Sequence, residues 1–580
     1  SFAQQRLWFL DRLEPGSVLY NMPARVALEP PPGEGLDAPA LARALAAIVR
    51  RHESLRTTFR RGEEGRPVQV VRAKAVQELP VLDLTALPAA AARREAARQA
   101  RIEGGTPFAL DRGPLVRFRL LRLPGEDAPE HSLLFTAHHT VSDGWSTDLF
   151  LGELAALYRA FREERPSPLP ELPVQYGDFA LWQQEWLGRE ALQALLEFWR
   201  GALAGAPRLL ELPADRPRPP SPSGRGSRAR LAFAPGLTGA VHALARRAGA
   251  TPFMVLLAGW VALLSRRSGA ADVAVGVPVA GRTHSELEPL IGFFANTVVV
   301  RAGLGGRPAF GEVLGRVRDA ALAAYAHQDL PFEKLVEELR PERNLAHHPL
   351  FQVLFAFQNT VPLEAPEPER ARSELRARLL PSYNDTARFD LALNLWEHEG
   401  RLVGYLEHSA DLFDGATAAR MVRELEMLLA GALASPEARV DALPVLGAAE
   451  RHALLVESAD TAAPFPEGAT LGELATAQAA RTPDATALVF RDRWVSYGEL
   501  SRRTAALARR LRALGVGPGA VVAVCAERSL EMVLALHAVV RAGAAYLPLD
   551  PNLPAERLAF LLVDAGARVL LTQAHLAAGA

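Results

Sequence analysis

The sequence predicts a mixed α/β chain of two or three domains. Three observations carry that prediction: strand-like and helix-like periodicities alternate from the start, 580 residues exceed one ordinary core, and 49% hydrophobic against 23% charged residues is a globular balance. Leu115-Val116-Arg117-Phe118-Arg119-Leu120 trades apolar for basic residues at period two, as a half-buried strand does. Leu41, Leu45, Ile48 and Val49 instead share one helical face, behind Asp37 as N-cap and Pro39 in the first turn. Residues 89–101, rich in Ala and Arg, read as a solvated helix. The proline-rich run 213–224 suits neither helix nor central strand, because proline lacks the amide donor, and reads as a surface crossover between two lobes. Beyond it Thr251 caps a helix with Pro252 at its first position, residues 272–279 form a buried strand, and 391–396 with 402–406 form a hairpin. A helix over 417–433 leads into an Ala/Pro-rich connector, 434–466, where periodicity fades and the main domain boundary falls.

Composition excludes several classes of function. With 65 basic and 66 acidic residues the net charge is −1, which gives no footprint for gripping nucleic acid or an anionic membrane. The lone cysteine, Cys525, sits in an apolar run and reads as a buried strand residue; one thiol builds neither an internal disulfide nor a cysteine metal cage. The longest apolar stretch, residues 253–264, is too short to span a bilayer and is followed by Arg266-Arg267. Ser1-Phe2-Ala3-Gln4-Gln5-Arg6 is polar and unlike a signal peptide, so the chain reads as a cytosolic fragment of something longer.

The most informative local feature is His138-His139-Thr140-Val141-Ser142-Asp143-Gly144-Trp145-Ser146, after the apolar strand Leu133-Leu134-Phe135-Thr136-Ala137. Side chains alternate between the faces of a strand, so consecutive histidines at its end point to opposite sides and are poorly placed to share a metal. One imidazole can face a reaction channel while the other packs behind it. Asp143-Gly144 supplies a turn in which the carboxylate fixes local geometry and glycine admits close approach. Taken alone, the pair fits two satisfied core histidines equally well.

The rest of the chain breaks that tie. Ser1-Phe2-Ala3-Gln4-Gln5-Arg6-Leu7-Trp8-Phe9-Leu10 resembles the opening motif of nonribosomal peptide synthetase condensation domains, and Arg51-His52-Glu53-Ser54-Leu55-Arg56-Thr57-Thr58-Phe59 resembles their second. HHxxxDG is the third. Tyr176-Gly177-Asp178-Phe179-Ala180-Leu181-Trp182 is similar to the fourth, Ile291-Gly292-Phe293-Phe294-Ala295-Asn296-Thr297-Val298-Val299-Val300-Arg301 to the fifth, and His327-Gln328-Asp329-Leu330-Pro331-Phe332-Glu333-Lys334-Leu335-Val336 to the sixth. The seventh, from Arg343 to Val353, keeps Pro-Leu-Phe-Gln but has His347-His348 where the family has Arg-Asn; that pair reads as structural. After the connector, Trp494-Val495-Ser496-Tyr497-Gly498-Glu499-Leu500 and the run from Leu536 to Pro551 resemble the first two motifs of adenylation domains. Gly515-Val516-Gly517-Pro518-Gly519 lacks the Lys-Ser/Thr of a phosphate loop and reads as a turn.

The resemblance implies two chloramphenicol-acetyltransferase-like α/β lobes in a V-shaped pseudo-dimer, 1–175 and 176–440, then a linker, 441–466, and the first part of an adenylation domain, 467–580, too incomplete to be active. It implies amide-bond formation, of the elongation type with an L-configured donor, between a donor thioester and an acceptor amine, at His139 with His138, Asp143 and Gly144. Asp143 would pair with an arginine of the other lobe, Arg282 first and Arg56 second. Asn296 and Ser146 would line the channel or support it, and Trp8, Trp182 and Phe293 would pack. No metal or nucleotide is implied for the domain itself; phosphopantetheine arms come from upstream donor and downstream acceptor carriers, with the rest of the adenylation domain in cis. The setting is a monomer within a cytoplasmic multidomain synthetase, without nucleic acid or membrane. Alternatives are an epimerisation or ester-forming relative, or a silent carrier-docking platform. The Asp-Gly-Trp-Ser tail and the following adenylation segment favour elongation, and the two histidines argue against heterocyclisation relatives, which carry aspartates there.

Overall fold

The structure, a computed structural model, describes residues 1–577 except 32–33, 63–64, 74–77, 127, 340–345, 359–374, 381 and 383. It divides into two units, Ser1–Ala453 and Leu454–Ala580.

The first unit holds two α/β lobes, each with its own sheet and core. Among the described residues the first lobe's sheet runs Arg376–Leu380, Asn21–Glu29, Glu130–His138, Val116–Leu123, Val81–Asp83. The predicted alternation holds: Val116, Phe118 and Leu120 are buried, while Arg117 and Arg119 reach Glu103. Helix Ala38–Arg51 begins where the Asp37 carboxylate accepts the Ala40 amide at 2.9 Å, and its face buries Leu41, Leu45, Ile48 and Val49. Each such leucine, isoleucine or valine contributes about 1.5–3 kcal/mol. Helix Ala89–Gly104 departs from the solvated reading, because Ala92, Ala96 and Ala100 form an i, i+4, i+8 stripe small enough to seat against Leu121, Leu123 and Leu134.

The second lobe's sheet, among the described residues, runs Gly226–Ala232, Arg401–Ser409, Leu391–His398, Val353–Gln358, Asp272–Val279, Asn296–Gly303. The Leu391–His398 and Arg401–Ser409 strands form the expected hairpin, turning through Glu399 and Gly400 at φ 48° and 71°. Helix Pro252–Ser268 buries every residue from Met254 to Leu264, which explains the long apolar stretch as a core helix. Among the described residues no single helix is long and apolar enough to cross a membrane; only the bent pair Leu237–Arg247 and Pro252–Ser268 passes on length and composition, at 104°.

Three features depart from the sequence reading. Leu196 and Trp199, on helix Arg189–Leu203, already belong to the second core, so the proline run 213–224 lies within the second lobe rather than between lobes. Missing amide donors reveal irregular backbone but not which packed bodies it joins. Strand Arg376–Leu380 then returns from the second half of the chain to pair antiparallel with Asn21–Glu29, Arg25 opposite Leu380. The packed body also runs past residue 440: Val440 and Leu443 are buried, and Arg266 Nη1 donates to their carbonyls at 2.9 and 2.8 Å.

The second unit holds, among the described residues, the parallel strands Ala545–Leu549, Val521–Cys525 and Val569–Thr572 and the hairpin Thr486–Phe490/Arg493–Ser496. Cys525 is free and buried in the central strand. Gly515 and Gly519, at φ 81° and 82°, turn the chain between helix Tyr497–Ala513 and that strand.

Candidate active site

The strand Glu130–His138 lies between its neighbours with Asn21 opposite His138, and the His139 amide donates to the Tyr20 carbonyl at 2.9 Å. The chain then turns into helix Gly144–Arg162, capped by Asp143. The two imidazoles diverge. His138 is buried against Phe108 and Tyr20, and its Nδ1 lies 2.9 Å from the Thr140 hydroxyl and accepts the Thr140 amide at 3.3 Å. His139 Nδ1 lies 2.8 Å from the Ser142 carbonyl. A carbonyl only accepts, so Nδ1 carries the proton and Nε2 keeps a free lone pair.

Burial, reinforced by the neighbouring His139, pushes His138 down to about 3. Burial first, then the Arg388 cation, pushes His139 down to about 4, against weaker upward pulls from the Ser142 carbonyl and Asp143. The Arg388 guanidinium is exposed, 5.9 Å from the Tyr20 ring. The His139 ring also lies against Phe293, centroids 4.4 Å apart.

Asp143 does not face the imidazole. Its Oδ1 accepts the Ser146 amide at 2.9 Å, the Ser146 hydroxyl at 2.7 Å and Arg282 Nη2 at 3.3 Å; Oδ2 accepts the Phe294 and Ala295 amides at 3.0 and 3.3 Å. The Asp143 and Arg282 side chains are 2% and 1% exposed. Arg282 also donates to the Leu287 and Leu290 carbonyls, and its guanidinium lies 4.1 Å from the Phe294 ring, so burial lowers its pKa against the pull of Asp143. The carboxylate thus ties the helix start to the second lobe's segment 291–295.

That segment acts as a strap held largely by side chains of the first lobe. Ser54 donates to the Ile291 carbonyl at 2.6 Å, and the Ile291 amide donates to His52 Nδ1 at 3.2 Å. The Ser146 hydroxyl oxygen accepts the Gly292 amide at 3.1 Å and lies 2.9 Å from the Gly292 carbonyl. The Tyr176 hydroxyl donates to the Phe293 carbonyl at 2.6 Å. Gly292 has no room for a Cβ, which would meet the Tyr176 ring at 2.2 Å. Gln4, from the first helix, completes the frame by donating to the Thr140 carbonyl at 2.9 Å.

Beside the strap a shallow, solvent-open cleft is lined by Phe293, Asn296, Trp182, Trp186, Asp329 and Glu333 among others. Residues 1–455 match the family model described as Condensation domain, and residues 475–580 match that described as AMP-binding enzyme. The chain belongs to the condensation-domain family of nonribosomal peptide synthetases. Chondramide synthase cmdD of Chondromyces crocatus is 45% identical over 99% of the chain, and phosphinothricin tripeptide synthetase PhsC of Streptomyces viridochromogenes is 42% identical over all of it. The chain spans 14% of the first relative's length and 52% of the second's. A four-domain nonribosomal peptide synthetase bound to AMP and glycine superposes with a TM-score of 0.85 at 25% identity, over 99% of this chain and 43% of that one. The X-domain from teicoplanin biosynthesis superposes at 0.68 with 30% identity, over 77% of this chain and 97% of that one.

Within the condensation domain His138, His139, Asp143, Gly144, Ser146 and Arg282 come together around one turn. Arg56 does not: it donates to the Arg72 carbonyl at 2.7 Å and pairs with Glu53 at 3.2 Å. Asn296 lines the cleft, but its amide is spent as a clamp, donating to the Gln328 and Leu330 carbonyls at 2.7 Å each and accepting from the Phe332 and Thr297 amides. Gly144 is exposed with open space around it. Trp182 departs from the packing expectation: helix Tyr176–Trp186 buries Tyr176, Phe179 and Ala180, which leaves Trp182 turned toward the cleft. Trp8 is partly buried under Arg12, and His348 packs among Phe332, Phe351 and Phe389. Arg343, Asn344 and Leu345 of the seventh motif lie outside the described residues. Sequence reasoning assigned no role to Tyr176 or Arg388; Tyr176 opens the fourth motif and could have been found there, whereas nothing in the pattern marks Arg388.

The depressed histidines make stability depend on pH. Both rings are neutral when folded, while the ordinary imidazole value is 6.5, so the unfolded chain binds more protons between 6.5 and the folded values of about 4 and 3. Stability is therefore full above about 6.5 and falls as pH drops through that window. Denaturant midpoints of the first unit are expected to fall steadily from pH 7 to pH 4, and His138→Gln to flatten that slope; an unchanged slope refutes a neutral buried His138.

Proposed function

We propose that this condensation domain joins an upstream carrier-bound acyl or peptidyl thioester to a downstream carrier-bound aminoacyl amine, as one station of a cytoplasmic multidomain synthetase. The observation that carries the reading is the His139 tautomer: Nδ1 is committed to Ser142, which leaves the Nε2 lone pair for a substrate N–H. An imidazole held near 4 cannot strip a ground-state ammonium with a pKa of about 7.7, so His139 first orients the neutral amine. The nitrogen lone pair attacks the thioester carbon, and the C=O π pair moves onto oxygen. Bond formation acidifies the nitrogen, and Nε2 accepts its proton. Collapse of the adduct expels the donor arm's thiolate, which takes up a proton, and leaves the amide on the acceptor arm. The Gly144 amide, in the first turn of helix Gly144–Arg162 where the dipole is positive, stands near the oxyanion. Both phosphopantetheine arms arrive on carriers as parts of the substrates.

The test loads two holo carriers with model aminoacyl groups and follows them by mass spectrometry. A dipeptidyl thioester on the downstream carrier is expected; an epimerised monomer or no product overturns the reading.

A further inference from the structure

One buried ionisable cluster takes no part in the proton transfers at His139. His52 and Glu153 are 1% and 5% exposed, with His52 Nε2 2.9 Å from Glu153 Oε2. The Ile291 amide can only donate, so His52 Nδ1 accepts it and the ring proton sits on Nε2, aimed at the carboxylate. Glu153 Oε1 accepts Arg51 Nε at 2.9 Å, and Arg51 also donates to the Pro170 carbonyl, so the buried charge is matched. An apolar pair would fill the same space, but it would leave the Ile291 amide without an acceptor.

Helix Gly144–Arg162 and its cap gather the strap's amides onto one element. Asp143 accepts those of Phe294 and Ala295, Ser146 accepts that of Gly292, and Glu153 holds the imidazole that accepts that of Ile291. Ser146 and Glu153 stand two turns apart along one helix face, about 10 Å, and the His52 ring bridges from the second of them to the strap. Ser54 holds the Ile291 carbonyl, so both polar groups of that residue are fixed two positions before Phe293. The same helix follows directly on the turn that carries His139. The Phe293 ring, 4.4 Å from the His139 ring, is thereby registered against the imidazole from both sides of the strap.

We propose that His52 and Glu153 are positioning residues for the reaction at His139: the carboxylate fixes the imidazole, the imidazole fixes the Ile291 amide, and the strap carries that constraint to the Phe293 ring. The proposal rests on His139 being the reacting imidazole of the amide-forming reading. Phe293 covers one face of a ring whose pKa is lowered first by burial, so a slackened strap admits water to His139 and lets Nε2 take up a proton. A protonated Nε2 has no lone pair for the substrate N–H.

The test follows isotope-labelled histidine by NMR in the full chain, the His139 signal being identified by its loss in His139→Gln. Two substitutions separate the ends of the His52 ring: His52→Asn keeps an acceptor at the Nδ1 position, whereas His52→Gln keeps a polar group only at the Nε2 position. At pH 5 the unaltered His139, with a pKa of about 4, should be about one-tenth protonated; His52→Gln should raise this to about one-half, and His52→Asn should stay near the unaltered value. Glu153→Gln should move His139 in the same direction by less, whereas loss of a negative charge acting only through space would move it the opposite way. In single-turnover transfer between loaded carriers, His52→Gln should lower the rate by about ten- to a hundred-fold with carrier affinity unchanged, and His52→Asn should restore most of it. Equal effects of folded His52→Asn and His52→Gln overturn the proposal. Glu153→Gln keeps the shape of the pair, so it decides the matter even where a change at His52 lowers folding yield: no upward movement of His139 there overturns the proposal. The histidine titration needs no turnover, so its result stands whether or not the carriers yield dipeptide.

Discussion

Replacing His139 by alanine is expected to lower dipeptide formation by about 10²–10⁴-fold, the range for loss of a positioned acid–base group, while carrier binding stays unchanged. The expectation follows from geometry. The ring is oriented on one edge by the Ser142 carbonyl and on one face by Phe293, so the variant loses one directed lone pair and little of the frame. Ground-state deprotonation is a small part of the barrier: with an amine pKa of about 7.7, roughly one amine in six is already neutral at pH 7, at a cost of about 1 kcal/mol. Raising the pH to 9 should therefore not rescue the variant. Single-turnover transfer between loaded carriers, with carrier affinity measured separately, checks this; wild-type turnover in the variant would refute the assignment.

Asp143→Ala is expected to act mainly through stability. It strips the buried Arg282 of its counter-ion and leaves the Phe294 and Ala295 amides without their acceptor, and an uncompensated buried charge costs about 3–5 kcal/mol. Folding yield, melting temperature and activity should fall together. Arg282→Met added to Asp143→Ala should recover part of the lost stability, since it removes the orphaned charge. Chemical denaturation of the single and double variants measures the coupling. A normally stable but inactive Asp143→Ala would instead indicate that the carboxylate takes part in the reaction.

Local features were legible in the sequence because local rules fix them. Asp37 and Thr251 are caps, the period-two run near Val116 is a strand, and the 391–406 segment is a hairpin, each decided by residues a few positions apart. Ala92, Ala96 and Ala100 show the limit of composition: alanine is both a good helix former and a good close-packing residue, and only the facing sheet decides which property counts. The divergence of His138 and His139 followed from strand alternation, but Arg282 as the expected partner of Asp143 came from resemblance, since nothing local links residues so far apart. The strap was hidden for the same reason. Ser54, His52, Ser146 and Tyr176 meet it across the chain, and hydroxyls and imidazoles satisfied by distant backbone leave no periodic trace. Asn296 was the converse case: a polar residue in an apolar motif suggested a channel group, and its carbonyl and amide are in fact saturated by backbone.

The return of strand Arg376–Leu380 to the edge of Asn21–Glu29 bears on how the chain is made. During synthesis the ribosome must deliver most of the second lobe before the first sheet receives its outermost member. Until then Asn21–Glu29 exposes unsatisfied amides and carbonyls to any strand nearby, its own or a neighbour's. Nascent intermediates truncated before residue 376 should for that reason be prone to clumping, and their rescue by holding chaperones should end once that last ribbon has emerged.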